Sequence, residues 1–322
     1  MRVRPVHGER ALELEYGGSR HVVIADLHIG IEDELASKGV RIPDQTGRAL
    51  ERALALVERL GPASVILLGD VRHRIPLARN REARRVRHFL ECLARRVPVT
   101  LVLGNHDAGL RSIAPPEVEF ARALMLGSSD SRMGAPAASS GRVRRERAAS
   151  PGLRPVPAPR VALAGGRTAS SIIDLGSRPR YRQGKTTQTL VGLFHGHARP
   201  PPEFGACGTF VVAHTHPSLL LTDESGRTVT EPCWLRAPPT PEGRKRYPML
   251  SKVIVMPAFS DLRSGVAVNA PGARLLGPLF RAALVDVARA RANLIDGTYL
   301  GTVADLLERS GAAAVEGTGV AD

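Results

Sequence analysis

Aspartate, asparagine and histidine residues follow five apolar stretches of the chain, each at the point where a short β-strand is expected to end. The five motifs are Asp26-Leu27-His28, Gly69-Asp70, Gly104-Asn105-His106-Asp107, His195-Gly196-His197 and His214-Thr215-His216-Pro217. In open α/β sheets the carboxyl ends of the strands face one crevice. We therefore expect these side chains to form a single metal or catalytic site.

The candidate donors are oxygen and imidazole nitrogen. Thiolates are not expected among them, because Cys92, Cys207 and Cys233 are scattered and form no CxxC pair. Such a set suits Mn²⁺, Fe²⁺ or Zn²⁺ better than Ca²⁺, which prefers oxygen alone. The candidates are too many for one ion but suit two ions that share a carboxylate. Two ions about 3.5–4 Å apart can activate a water and stabilise both oxygens of a phosphoryl transfer.

The elements that would carry these motifs alternate between strand and helix. Apolar runs predict strands over residues 11–16, 21–25, 65–68, 99–103, 190–194, 209–213 and 253–256. Helical spacing predicts helices from the cap Asp44 to Leu60 and over residues 80–96, 279–294 and 303–309. The alternation in the first third is typical of parallel βαβ units, so we expect an α/β fold.

Residues 1–310 are expected to form a single domain. Residues 127–160 interrupt the pattern with many arginines and prolines and few large apolar residues, which predicts a flexible basic insertion. Residues 311–322 are expected to form a flexible tail.

The chain has a formal net charge of +14, and nearly all of its basic residues are arginines. Two interpretations remain open. Guanidinium groups bind phosphate in a bidentate fork, which would suit DNA or RNA. Alternatively, the arginines reflect a codon bias that also enriches alanine, glycine and proline. Aromatic residues make up only 4% of the chain, so a nucleic-acid partner would be held by its backbone and not by base stacking.

No apolar run approaches the roughly 20 residues that a membrane helix needs, and residues 1–10 lack the apolar core of a signal peptide. The scattered cysteines are typical of a reducing compartment. We expect a cytoplasmic protein that does not span a membrane; protein partners cannot be inferred from the sequence.

In their order along the chain, the motifs DxH, GD, GNHD, HGH and (G/A)HxHP resemble those of the calcineurin-like metallophosphoesterase family, over roughly residues 22–217. The resemblance implies an α/β sandwich of two mixed β-sheets flanked by helices, with a dinuclear metal site at the carboxyl ends of the strands. It implies two divalent ions, with Mn²⁺ expected first and Fe²⁺, Zn²⁺ or Ni²⁺ as the other candidates.

The resemblance also assigns ligands to the two ions. Those of the first ion are Asp26, His28 and His216, those of the second are Asn105, His195 and His214, and the bridging carboxylate is Asp70. Either His195 or His197 fits the second ion, but His195 directly follows the strand and is preferred. His197 would then face the substrate or support the ligands.

Two further roles are implied by the resemblance. His106 would contact the phosphate and protonate the leaving oxygen, and Asp107 would orient its imidazole. Ala213 stands where the family usually has glycine. A methyl group there should be tolerated unless the residue has a positive φ.

Arg72 and His73 follow the bridging Asp70 and leave two interpretations open: contacts to the substrate phosphate, or a surface arginine and a histidine behind the ligands. Together with residues 25–30, 39–43, 69–71, 257–259 and Gly265, these residues resemble one branch of the family. That branch comprises predicted archaeal phosphoesterases and the bacterial phosphoesterase associated with DNA ligase and a helicase.

The activity implied is metal-dependent hydrolysis of phosphate esters. The arginine excess and the repair-associated branch favour phosphodiesters, in DNA or RNA. The alternatives are a phosphatase, a small-nucleotide phosphodiesterase, or a non-catalytic scaffold with the same fold. Degenerate ligands would be typical of a scaffold, whereas all the expected ligands are present here.

Overall fold

The computed structural model describes residues 1–73, 80–127, 173–174, 190–223, 225–262 and 265–316. The first sheet has six strands, hydrogen-bonded in chain order. They are β1 (Arg2–Pro5), β2 (Ala11–Tyr16), β3 (Ser19–Ile24), β4 (Ser64–Leu68), β5 (Val99–Val102) and β6 (Val118–Ala121). The pairs β1–β2 and β2–β3 are antiparallel, and β3 to β6 run parallel to one another, so the sheet is mixed.

The second sheet contains the remaining nine strands. They are β7 (Leu124–Leu126), β8 (Ile173–Asp174), β9 (Leu190–Phe194), β10 (Cys207–Val212), β11 (Ser218–Thr222), β12 (Thr228–Ala237), β13 (Lys252–Val255), β14 (Arg291–Leu294) and β15 (Tyr299–Thr302). The order is β15-β14-β12-β13-β10-β9-β7-β8, with β11 paired to β12. Strands β9, β10 and β13 are parallel and the other pairs antiparallel, so this sheet is also mixed.

Continuous apolar runs in the parallel strands allow each sheet to be buried on both faces. In β3, Val23 faces the core between the two sheets, whereas Val22 and Ile24 face the helices on the other side. In β10, Val211 faces the same central core and Phe210 the outer core of the second sheet. The expected sandwich of two mixed sheets is confirmed.

The helices cover the outer faces of the sandwich. They are α1 (Ile31–Ser37), α2 (Gln45–Leu60), α3 (Asn80–Ala94), α4 (Pro241–Arg246), α5 (Pro278–Arg281) and α6 (Val303–Glu316). The predicted cap of α2 is confirmed, because the Asp44 carboxylate accepts a hydrogen bond from the Thr46 amide at 3.1 Å. Leu56 of α2 and Phe89 of α3 pack in the outer core of the first sheet.

The predicted helix over residues 279–294 is wrong. Helix α5 ends at Arg281, and Ala283 adopts a left-handed φ of 48°. Arg291–Leu294 forms strand β14, because it pairs with the buried strand β12. Backbone pairing with a core strand overrides the helical spacing of the apolar residues.

The insertion expected at residues 127–160 lies, apart from Gly127, outside the described residues. Helix α6 continues to Glu316, past the residue at which a tail was expected to begin, and residues 317–322 are again outside the described part. None of the described helices has the length and apolar character needed to cross a bilayer.

His21 makes stability depend on pH. Its ring is buried in the first sheet, stacks on Tyr16 and lies 2.8 Å from the Ser64 hydroxyl through Nδ1. Burial lowers the pKa of His21 below its ordinary value. The unfolded chain therefore binds a proton at about pH 6.5 that the folded chain does not, so this contribution to stability is lost as pH falls below about 6.5.

We predict that the free energy of unfolding falls less in His21→Gln than in the wild type when the pH is lowered from about 7.5 to about 5.5. The difference between the two losses should be up to ~1 kcal/mol. The measurement is urea unfolding at both pH values, in chelator so that bound metal does not contribute. Equal losses in the two proteins would contradict the prediction.

Candidate metal centre

The candidate residues meet at one edge of the sandwich because both sheets contribute parallel strands that end there. In the first sheet, β3 leads to Asp26, β4 to Asp70 and β5 to Asn105. In the second sheet, β9 leads to His195 and β10 to His214. The amides of Asp26 and His28 donate to the carbonyls of Gly69 and Asp70 at 3.0 and 2.9 Å, which fixes the first two strand ends against each other.

Left-handed backbone is concentrated at these strand ends. The residues concerned have φ between 47° and 68°: Asp26, His28, Asp70, His214 and His216. Such conformations are unfavourable for residues other than glycine and collect at functional sites. Ala213 is not among the positive-φ residues of the described chain, so alanine in place of the family's glycine imposes no backbone strain.

Three groups of donor atoms, each within 4.8 Å, lie at this edge. They are Asp26 with His28 and His216, His28 with Asp70 and His106, and Asp70 with His195 and His214. Neighbouring groups share a residue, so they form one continuous centre. The first group contains the residues expected at one ion, and the third contains residues expected at the other.

Asp26 is fully buried and joins the two sheets through its carboxylate. Oδ1 lies 2.9 Å from Nε2 of His195 and 3.3 Å from Nε2 of His216, and Oδ2 accepts from the His214 amide at 3.1 Å. Burial alone raises the pKa of Asp26, but the charge of His216 and the hydrogen bonds from His195 and His216 outweigh it. The pKa therefore lies well below its ordinary value, and the group is an anionic ligand at neutral pH.

Asp70 follows β4 and is also buried. Its Oδ1 accepts the amide of His106 at 2.9 Å, and its Oδ2 lies 3.4 Å from Nε2 of His195. A Cβ atom at Gly104 would overlap the Asp70 carboxylate, and one at Gly69, which has a φ of 82°, would overlap the His195 ring. Glycine at both positions therefore allows the close approach expected from the sequence.

The second-sheet histidines differ in their electrostatics. Burial lowers the pKa of His195, but the Asp26 hydrogen bond and the charges of Asp26, Asp70 and Asp107 raise it above its ordinary value. Burial and the neighbouring charge of His195 lower the pKa of His214 to about 4. The His214 imidazole is therefore neutral at pH 7, which is the form that binds metals.

The structure distinguishes His195 from His197. His195 is buried and contacts both carboxylates, whereas His197 is exposed and contacts the His195 ring, with the two Nδ1 atoms 3.0 Å apart. His197 is outside the three donor groups. This placement agrees with the preferred assignment of His195 as the ligand.

The expected role of Asp107 needs correction. Its Oδ1 accepts the amides of Val71 and Arg72 at 2.9 and 3.4 Å, and its Oδ2 accepts the Gly104 amide at 2.8 Å. The His106 imidazole is oriented instead by the His73 carbonyl, 2.6 Å from its Nδ1. Asp107 therefore joins the loops that follow β4 and β5. Burial raises its pKa, against the effect of the backbone hydrogen bond from Gly104.

Arg72 fits neither interpretation offered by the sequence. It is only 1% exposed, its Nε lies 3.5 Å from Glu82, and its Nη1 donates to the Ala108 carbonyl at 2.6 Å. It is therefore not a surface residue, and these contacts commit its guanidinium to the protein interior. His73 is also buried, and its Nδ1 lies 3.5 Å from Nδ1 of His28, so it stands behind a candidate ligand.

Sequence reasoning missed Glu34. Its Oε2 lies 2.6 Å from Nε2 of His73, which in turn contacts His28. Hydrogen bonds from Lys38 and His73 lower the pKa of Glu34 to about 2. No motif marks this residue, and helix α1, which carries it, was not predicted.

Asn105, expected at the second ion, is exposed between Gly104 and His106.

The donor set fits a pair of divalent ions. It offers two buried carboxylates and several imidazoles, and all of these are ligands that Mn²⁺, Fe²⁺ and Zn²⁺ accept. The charges of Asp26 and Asp70 would offset part of the charge of the ions. Two ions held by such a set could activate a water for hydrolysis.

The model of one protein family, the calcineurin-like phosphoesterases, matches residues 19–218. The chain therefore belongs to the calcineurin-like phosphoesterase family. This family acts on phosphate esters at a dinuclear divalent metal site. No curated protein matches the chain.

Several solved structures resemble the chain at low identity. A nuclease MPE of Pseudomonas putida has 15% identity and a TM-score of 0.44, with 90% of this chain and 100% of that chain covered. Yfce, a phosphoesterase from E. coli, has 12% identity and a TM-score of 0.33, with 87% and 96% covered. A predicted phosphoesterase from Streptococcus pneumoniae has 11% identity and a TM-score of 0.26, with 88% and 92% covered.

Gly69 provides a test of the centre, because an alanine side chain there would displace the ring of His195. We predict that Gly69→Ala lowers Mn²⁺ affinity about tenfold or more, measured by calorimetric titration. Gly18→Ala is the matched control, since Gly18 has a similar φ of 78° and open space around it. Both variants should lose about 1 kcal/mol of stability from backbone strain, and Gly69→Ala should lose more because its Cβ overlaps His195. Equal Mn²⁺ affinities in the two variants would contradict the role of His195.

Proposed function

We propose that this protein is a metal-dependent phosphodiesterase that cleaves the backbone of nucleic acid. The observation that carries the proposal is the position of Asp70, which belongs to two adjoining donor groups, one of which includes His106. Asp26, His28 and His216 hold one ion in this proposal, and Asn105, His195 and His214 hold the other, with Asp70 shared between them. When bound, two such ions supply an activated water and stabilise charge on the phosphoryl group; Mn²⁺ is the ion proposed first.

His106 is the proposed acid toward the leaving oxygen. The His73 carbonyl can only accept a hydrogen bond, so Nδ1 of His106 must carry the proton that is donated to it. The other ring nitrogen, Nε2, lies 3.8 Å from Asp70 Oδ2 and faces the centre. The protonated ring therefore presents its second proton, on Nε2, on the side where the ester bond would be cleaved.

The surroundings of the centre favour a diester over a monoester. An open cleft of about 320 Å³, lined by His197, Arg199 and Arg281 among others, lies beside the His195 loop. A diester carries substituents on both sides of its phosphorus and needs such room. The net charge of +14 also favours a polyanionic partner.

The first test compares two chromogenic substrates. After chelation and return of Mn²⁺, we expect bis(p-nitrophenyl) phosphate to be hydrolysed with a higher kcat/KM than p-nitrophenyl phosphate. Asp70→Asn should lower kcat about a hundredfold or more. The control is Asp296→Asn, which changes an exposed loop carboxylate bonded to the Thr298 amide.

The outcomes separate the candidate functions. Preference for the monoester would contradict a phosphodiesterase and favour a phosphatase. Hydrolysis of small nucleotides but not of DNA or RNA would favour a small-nucleotide phosphodiesterase. Inactivity without bound metal would contradict a catalytic function and favour a scaffold.

A second prediction isolates His106. We expect His106→Ala to lower kcat for an oligothymidylate by about 10²- to 10⁴-fold, because its strongly basic alkoxide leaving oxygen loses its proton donor. The loss for bis(p-nitrophenyl) phosphate should be smaller, because p-nitrophenolate leaves without a proton. KM should change little. His88→Ala, at an exposed histidine of α3, is the matched control. An unchanged kcat for the oligothymidylate in His106→Ala would exclude this role.

A further inference from the structure

The cleft beside the metal centre contains two arginines that the proposed chemistry does not use. It is lined by His197, Arg199, Pro278, Arg281 and Ala282. Arg199 and Arg281 are both exposed. Within the part of the chain that the structure describes, neither guanidinium forms an ion pair with a carboxylate. Two unneutralised cations on one concave surface favour an anionic ligand.

The two arginines come from segments that are fastened to the ligand loops. Arg199 follows His197 on the loop after β9, and the next carbonyl, that of Pro200, accepts a hydrogen bond from Tyr247 at 3.3 Å. The segment leading to Arg281 is held at Leu276, whose carbonyl accepts from Thr215 at 3.2 Å. Thr215 lies between His214 and His216, so this segment is bonded to the second-sheet ligand loop.

Close backbone packing holds the same segment against the loop of His195. Gly277, which precedes α5, lies so near the Gly196 carbonyl that a Cβ atom would overlap it, and that atom would also lie 3.8 Å from Cδ2 of His214. The backbone that leads to Arg281 is therefore held in a fixed position relative to the candidate ligands His195 and His214. The wall of the cleft that carries Arg281 is thus fixed relative to the loops of His195 and His214.

His197 connects the cleft to the metal centre. It lines the cleft, and its Nδ1 lies 3.0 Å from Nδ1 of His195, which contacts both buried carboxylates. The phosphate to be cleaved would bind at the ions that these carboxylates would hold. Because His197 also lines the cleft, a group bound there would be a neighbour of the metal centre.

We infer that Arg199 and Arg281 form a subsite for a second, uncleaved phosphate of the substrate, adjacent to the scissile phosphate along a nucleic-acid backbone. The guanidinium fork matches the geometry of phosphate oxygens and retains its charge at any physiological pH. This inference rests on the proposed phosphodiesterase function and specifies its substrate class: a chain with more than one phosphate.

The test uses binding without metal, so that it is independent of hydrolysis. The probe is a fluorescently labelled ten-residue oligothymidylate, titrated in chelator at several salt concentrations and followed by anisotropy. We expect Arg199→Ala/Arg281→Ala to weaken binding about tenfold or more and to reduce the salt slope by about 0.7, the loss of one phosphate contact on a single strand. Arg199→Lys/Arg281→Lys keeps both charges and should retain most of the slope.

Arg2→Ala/Arg4→Ala is the matched control, because it removes two exposed positive charges of β1, far from the cleft. Arg2 pairs with Glu15, which is opposite Arg20 near the start of β3, at the end of the sheet away from Asp26. We expect its binding and salt slope to equal those of the wild type. An equal loss of affinity in Arg2→Ala/Arg4→Ala and in Arg199→Ala/Arg281→Ala would overturn the subsite in favour of general electrostatics.

A kinetic measurement separates this inference from the proposed function. With Mn²⁺ returned, the ratio of kcat/KM for oligothymidylate to that for bis(p-nitrophenyl) phosphate should fall about tenfold in Arg199→Ala/Arg281→Ala, through KM. An unchanged ratio together with unchanged anisotropy would overturn the subsite while leaving the phosphodiesterase intact. Absence of diester hydrolysis in the wild type would contradict the proposed function. Weaker oligothymidylate binding by Arg199→Ala/Arg281→Ala, measured by anisotropy, would still support the phosphate subsite in that case.

Discussion

The buried carboxylate of Asp26 is the constraint on which this edge of the molecule depends. It ends a strand of one sheet, while its hydrogen-bond partners, His195, His216 and the amide of His214, belong to the other. A buried charge costs several kcal/mol unless it is paired and hydrogen-bonded. The two sheets must therefore meet in one register here, because a shift of either would leave the carboxylate without partners.

The left-handed residues show how the site is built around that charge. The backbone at Asp26, Asp70 and His214 turns sharply at the strand ends. A strand that continued in extended conformation would send alternate side chains to opposite faces of the sheet. The turns instead direct the side chains that follow neighbouring strands towards the same metal centre. The packed sandwich beneath supplies the stability that offsets this local strain.

Much of this arrangement could be predicted from the sequence because the motifs sit at strand ends, and parallel strands bring their ends together. Contacts between residues distant along the chain could not be predicted. The ion pair that buries Arg72 involves Glu82, on helix α3, and the carbonyl that orients His106 comes from His73. A carbonyl group exists in every residue and leaves no mark in a sequence. The strand Arg291–Leu294 was missed for a similar reason, since its pairing with β12 is a tertiary contact.

The division of ligands between the two sheets has a consequence for the folding of the chain. The first donor group combines Asp26 and His28 with His216, and the third combines Asp70 with His195 and His214. A cut anywhere between residues 127 and 190 would leave both groups incomplete in each fragment. Metal affinity would then depend on reassociation of the fragments, so divalent ions would act as cross-links between the two halves of the chain. Metal binding at this centre would thus couple the folding of one half of the chain to that of the other.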